Sequence, residues 1–75
     1  MSISDGYALR TPGGKMVAET FAVDKGDAEV LAYDYLSKTR AWAAKGEYWK
    51  QWDLFVAERE RRGWVVQRIH LLDYF

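Results

Sequence analysis

Seventy-five residues hold one domain and bury about 60% of the surface that the unfolded chain would expose, enough for a single small core. Eleven basic residues balance eleven acidic ones, so charge alone makes no case for a nucleic-acid binder or a membrane-surface protein, and a hydrophobic share of 49% argues against disorder. Cysteine is absent, which excludes a disulfide scaffold, an iron–sulfur cluster, a zinc knuckle and a thiol nucleophile together, and fits a reducing compartment.

Residues 1–6 read as an N-terminal tail with neither the basic start nor the apolar run of a secretory signal. No stretch approaches the roughly 18 apolar residues of a membrane span. The expectation is a cytoplasmic protein with no membrane association. Residues 7–21 read as a β-hairpin. Tyr7-Ala8-Leu9-Arg10-Thr11 alternates as a strand does, and Met16-Val17-Ala18-Glu19-Thr20-Phe21 continues as the second strand. Between them, Pro12 presets φ for the first central position of a turn, and Gly13 is expected to take the positive φ of type II.

A first helix is expected over 24–45. Asp24 can cap it, Asp27 stands at the capping-box position, and Leu31, Ala32, Tyr35, Leu36, Trp42 and Ala43 share one face. A second helix over 47–62 gathers Tyr48, Trp49, Trp52, Phe55 and Val56, with Trp52 and Phe55 expected deep in the core. Arg61 and Arg62 suit its negative end, and Gly63 followed by Trp64 reads as a left-handed stop with its hydrophobic contact. The stretch 64–75 is β-rich and reads as a third strand. The adjacent Val65 and Val66 call for a bulge or for burial on both faces. The predicted fold is α+β: one domain, 1–75, ordered β-β-α-α-β, with a three-stranded, mainly antiparallel sheet covered on one face by an antiparallel helix pair. Two full-length helices would start the third strand near the end of the second, to pair antiparallel with it or parallel with the first.

Chemistry-bearing residues are sparse. His70 is the only histidine, and its same-face strand neighbours, Arg68 and Leu72, form no catalytic or metal-binding constellation. Asp5, Asp53 and Asp73 read as solvated carboxylates. Gly13-Gly14-Lys15 lacks the Ser or Thr and the following helix of a phosphate loop, because Met16 and a strand follow. No catalytic, cofactor or metal site is expected, and the chain reads as a non-enzyme.

The surplus lies elsewhere. Four tryptophans serve a small core, yet Trp49 falls at the rim of its helix face. Lys50, Arg59, Arg61, Arg62 and Arg68 gather away from Asp24, Asp27, Glu29 and Asp34. Val30, Tyr33, Ser37, Ala41 and Ala44 form a weak stripe on the far side of the first helix, and Leu54 leaves the core face of the second. Tyr33, Trp49, Leu54, Arg59 and Arg62 are therefore the candidate partner-binding residues.

The turn Pro12-Gly13-Gly14-Lys15, the polar helix start, and the Trp-bearing helix ending in Arg61-Arg62-Gly63-Trp64 before Val65-Val66-Gln67-Arg68-Ile69 resemble small proteins encoded in phages and prophages. That resemblance implies an inhibitor of host machinery, of the kind that includes the anti-CRISPR proteins. The leading expectation is a non-enzymatic protein-binding module that blocks a host defence complex. The alternative is a nucleic-acid-binding accessory protein using its Arg and Trp side chains.

Overall fold

The computed structural model describes residues 5–70, so Leu72, Asp73 and the rest of 71–75 lie outside the described residues. The order is β1 (Asp5–Arg10), β2 (Met16–Ala22), α1 (Lys25–Thr39), α2 (Ala41–Ala44), a single 3-10 turn (Tyr48–Lys50), α3 (Trp52–Arg61) and β3 (Val65–His70). The α+β class and the β-β-α-α-β order hold, with an open sheet β2-β1-β3 that is antiparallel throughout. Asp5 and Gly6, read as tail, already belong to β1.

Local chemistry sets the chain reversals. Gly14 N–H donates to the Thr11 carbonyl at 2.9 Å, and Thr11 N–H to the Lys15 carbonyl at 2.7 Å, which closes the expected turn. The positive φ, however, falls at Gly14 (92°) and not at Gly13, so the turn is not type II. A left-handed residue after the turn keeps the two strands in register, as in hairpins that close through a glycine bulge. Asp24 caps α1 as expected, accepting from the Asp27 N–H at 3.3 Å. The other end of the helical region closes in a full Schellman motif. Trp64 N–H donates to the Arg59 carbonyl at 2.9 Å and Gly63 N–H to the Glu60 carbonyl at 3.0 Å, with Gly63 at φ 92°.

Both predicted helices are cut short. The one expected over 24–45 breaks at Arg40, whose φ of −134° and ψ of 123° are extended, and resumes as the single turn of α2. The one expected over 47–62 begins only at Trp52, after Gln51 at φ −133° and ψ 64°. No side chain caps α2 or α3 at the N-terminus, so local hydrogen bonding alone does not extend either helix. With that irregular stretch between them, helix length no longer dictates where β3 starts. Gly63 packs on Pro12, and Val65 pairs with Arg10, so β3 starts beside the hairpin turn and runs antiparallel to β1 in six consecutive pairs. The expected pairing, antiparallel to the second strand or parallel to the first, is replaced by this one.

One sheet face carries Leu9, Val17 and Val66, which pack with Ala28, Ala32 and Leu36 of α1 and with Ala43, Phe55 and Trp64. Alanines at two of the three buried α1 positions let the helix approach the sheet closely. This face is offset from the one expected, and Leu31 is exposed. Contacts between α1 and α3 run in opposite chain directions, Glu29 with Arg59 and Tyr33 with Phe55 and Trp52, as in an antiparallel pair. Ala8 and Ile69 are buried on the other sheet face. Of the adjacent valines, Val66 is buried on the core face and Val65, on the other, is half-buried, although β3 is an edge strand.

β2 contains a wide irregularity. Tyr7 pairs with Ala22 and Leu9 with Val17, so Ala8 alone faces the stretch Ala18-Glu19-Thr20-Phe21. The buried Thr20 hydroxyl repairs the ladder, accepting from Leu9 N–H at 2.8 Å and donating to the Val17 carbonyl at 2.7 Å. Among the described residues, no helix is long and apolar enough to cross a membrane.

Candidate protein-binding surface

The five candidate residues separate into three environments. Trp49, in the 3-10 turn, is 64% exposed, and Leu54, in the first turn of α3, is 57% exposed. Lys50 Nζ lies 4.8 Å from the Trp49 ring, covering part of it with a cation. Tyr33 is not on an outer stripe. Its ring meets Phe55 at 5.0 Å and Trp52 at 5.7 Å, both edge-to-face, so it joins the aromatic packing between α1 and α3. Trp52 is half-buried, not deep: it opens its helix, with Tyr33 and Phe55 against its ring.

Arg59 is the principal correction. It is 0% exposed and cannot anchor a partner. Its Nη1 donates to the Trp64 carbonyl at 2.9 Å, while its own carbonyl accepts from Trp64 N–H, so one residue holds the α3–β3 corner through side chain and backbone together. Glu29 lies 3.9 Å from Nη2, beyond hydrogen-bond reach, and neither Nε nor Nη2 has a hydrogen-bond partner. Burial pushes the Arg59 pKa down, against the opposing pull of Glu29 and Glu60. Position at a helix end predicted a solvated cation. The actual reason for the arginine is a carbonyl five residues on, which only the turned corner brings within reach. Reversing its charge would unfold the domain and would not test binding.

Arg62 is exposed, as expected, but it is not alone. Its Nε donates to Glu58 Oε1 at 2.7 Å, and Arg61 grips the same carboxylate with Nη2 at 2.7 Å and Nε at 3.1 Å. Its guanidinium also lies 4.7 Å from the Trp42 ring, whose other neighbour is Phe55, stacked at 6.4 Å and 23°. The bonds from Arg61, and then those from Arg62, bring the Glu58 pKa down from the usual 4.5 to about 2. Because the folded value lies below the unfolded one, the stabilisation from this clasp is complete above the unfolded value and fades as pH falls towards about 2. A carboxyl titration followed by NMR should therefore find Glu58 titrating near 2 in the parent and near the usual 4.5 after Arg61→Gln combined with Arg62→Gln. An unchanged Glu58 titration in that double variant would mean that the clasp does not exist in solution.

A second cluster was not foreseen. Asp5 stands opposite His70 in the β1–β3 register, with Oδ1 2.6 Å from Nδ1, and Arg68 Nη2 lies 4.0 Å from Oδ2. The hydrogen bond to His70 is the main cause that lowers the Asp5 pKa. His70 therefore does have a carboxylate partner, contributed by the other end of the chain. A depression of about 390 Å³ adjoins it, lined by Asp5, Gly6, Tyr7, Val23 and Arg68. All three side chains are well exposed, and His70 and Arg68 share the one acid, an arrangement that ties the end of β3 to β1. Asp53, by contrast, is exposed at the start of α3. Among the described residues, no group of three or more His, Asp or Glu side chains is placed to hold a metal ion.

Comparison with protein-family models, curated proteins and solved structures returns no match.

Proposed function

We propose that this protein is a non-enzymatic protein-binding module that acts by occupying the surface of a partner. Following the phage resemblance, the partner class is a host defence complex. The observation that carries the reading is the exposure of Trp49 and Leu54, two large apolar side chains close in sequence, on a chain whose other tryptophans are half-buried or buried. Rigid aromatic area at low entropic cost is what binding hot spots use, and apolar side chains left in water gain by being covered.

Trp49→Ala combined with Leu54→Ala should weaken partner capture from host lysate by roughly thirtyfold or more, the effect of losing one hot spot of about 2 kcal/mol. The thermal midpoint should hardly move, because both side chains already face solvent. Capture equal to that of the parent would reject this surface. The nucleic-acid alternative is less favoured. Arg59 is buried, and Arg61 and Arg62 share Glu58, which leaves fewer solvent-facing cations for phosphates than the sequence promised.

A further inference from the structure

We propose that the pole where the hairpin turn, the end of α1 and the α3–β3 corner meet is a docking site for an acidic, Asp- and Glu-rich segment of a partner protein, with Arg40 as its main carboxylate ligand. The proposal rests on the binding-module reading and names the chemistry of the partner.

Tertiary packing assembles this pole. Gly63 lies against Pro12 of the hairpin turn, and Trp64, the next residue, carries the Arg40 guanidinium 4.9 Å from its ring. Trp64 is only 5% exposed, so the surface on which Arg40 rests is fixed, while Arg40 itself is exposed. One of its nitrogens, Nη1, donates to the Thr39 carbonyl at 3.0 Å, and among the described residues it makes no ion pair. A guanidinium laid across a ring keeps its in-plane N–H edge available for two-pronged bonding to a carboxylate. The stacking holds it there before a partner arrives.

The surrounding charge is mainly of the same sign, with Glu60 in the last turn of α3 as an exposed exception. Lys15 in the hairpin turn is exposed and unpaired among the described residues, as is Lys45 at the end of α2. Arg61 and Arg62 exceed the charge of their shared Glu58 by one. Asp24 and Asp27 stand at the far end of α1, whose fifteen residues span about 22 Å. A chain with no net charge is thus polarised, and its basic end complements an acidic segment.

Carboxylates fit this pole better than nucleic-acid bases. Single strands bind by stacking bases on open aromatic faces. Here Trp64 is buried beneath Arg40, and Trp42, half-buried, has Arg62 over its ring and Phe55 stacked at 6.4 Å. Both rings at this pole carry a cation where a base would have to stack.

The test uses the full chain with a labelled oligoglutamate peptide and an oligothymidylate of matched charge, both read by fluorescence anisotropy. The peptide should bind more tightly than the oligothymidylate and lose affinity with added salt. Arg40→Glu should weaken it by at least about tenfold, the loss of one charge-assisted pair. Arg40→Gln should weaken it nearly as much, and Arg40→Lys should fall between. Circular dichroism confirms that each variant is folded. Parental affinity in both Arg40→Glu and Arg40→Gln, or tighter binding to the oligothymidylate, overturns the proposal. If Arg40→Glu still captures the lysate partner while the Trp49 and Leu54 double variant does not, the binding-module reading stands and the acidic-segment assignment falls. If the peptide binds in an Arg40-dependent way while the Trp49 and Leu54 double variant captures the partner like the parent, the docking pole stands and that hydrophobic surface falls.

Discussion

Phe55→Ala is expected to destabilise the domain by about 3–5 kcal/mol, the usual cost of truncating a buried aromatic side chain. Phe55 is 0% exposed and lies at the centre of a ring cluster: Tyr33 at 5.0 Å, Trp52 at 5.3 Å, Tyr48 at 5.5 Å and Trp42 at 6.4 Å. These neighbours come from α1, α2, the 3-10 turn and α3, so one side chain holds together the whole irregular crossover between β2 and β3. Each aromatic pair adds about 0.5–1.5 kcal/mol beyond the area it buries. The Arg59 guanidinium, 5.8 Å from the same ring, would lose part of the apolar wall beside it. Native domains are stable by only about 5–15 kcal/mol, and one this small belongs near the bottom of that range, so the variant should be largely unfolded at 37 °C. Trp52→Ala should cost clearly less, because Trp52 is half-buried at the start of its helix. Urea denaturation followed by circular dichroism compares the two. A Phe55→Ala midpoint close to the parental one would show that another residue centres the core.

Gly6→Ala should be the most damaging change of a single atom. A Cβ at Gly6 would stand 2.6 Å from the Ala22 carbonyl oxygen and 2.6 Å from the Phe21 ring. The ring could turn, but the carbonyl belongs to the neighbouring strand, so β1 and β2 would have to move apart where the β2 irregularity ends. Overpacking of this kind costs about 1–3 kcal/mol, and a clash with backbone belongs at the upper end. In a domain of this size that lowers the thermal midpoint by at least about 4–8 °C for each kcal/mol. Gly13→Ala is the control. Its Cβ would meet only the Thr11 hydroxyl, at 3.8 Å, and its φ is not positive, so the midpoint should hold or rise slightly as the unfolded chain loses freedom. Equal midpoints for the two variants would refute the close approach at Gly6.

The features legible in the sequence were those whose causes lie within a few residues. Asp24 capping α1 three residues on, Pro12 with two glycines closing a hairpin, and Gly63 ending α3 ahead of Trp64 are each local hydrogen-bonding problems with few solutions. The features that were missed depend on distant partners. Nothing near Thr20 in the sequence announces that its hydroxyl will stand in for a ladder partner of Leu9, eleven residues away. Helical periodicity puts Tyr33 on an outer stripe only if a helix is covered by a single surface. In the structure α1 is buried on two sides, by the sheet along Ala28, Ala32 and Leu36 and by α3 beside Glu29 and Tyr33. A strand order with β1 in the centre would have placed Asp5 opposite His70, but that order follows from where Gly63 packs and not from strand propensity.

By itself, then, the sequence determined the α+β class, the order of the elements, the hairpin, the cap of α1 and the stop of α3, because turn and cap chemistry acts over one turn of chain. It also placed Trp49 at the rim of its helix face and Leu54 off the core face, and both are exposed. Only the tertiary structure decided that Arg59 is buried with its guanidinium on the Trp64 carbonyl, that Arg40 lies over the Trp64 ring, and that β3 pairs with β1. A cation at a helix end is equally at home in water or folded back onto a carbonyl. The choice depends on whether a corner brings the carbonyl within about 3 Å and whether enough apolar surface closes around it to offset the desolvation. Those quantities belong to the packed molecule, and no spacing along the chain encodes them.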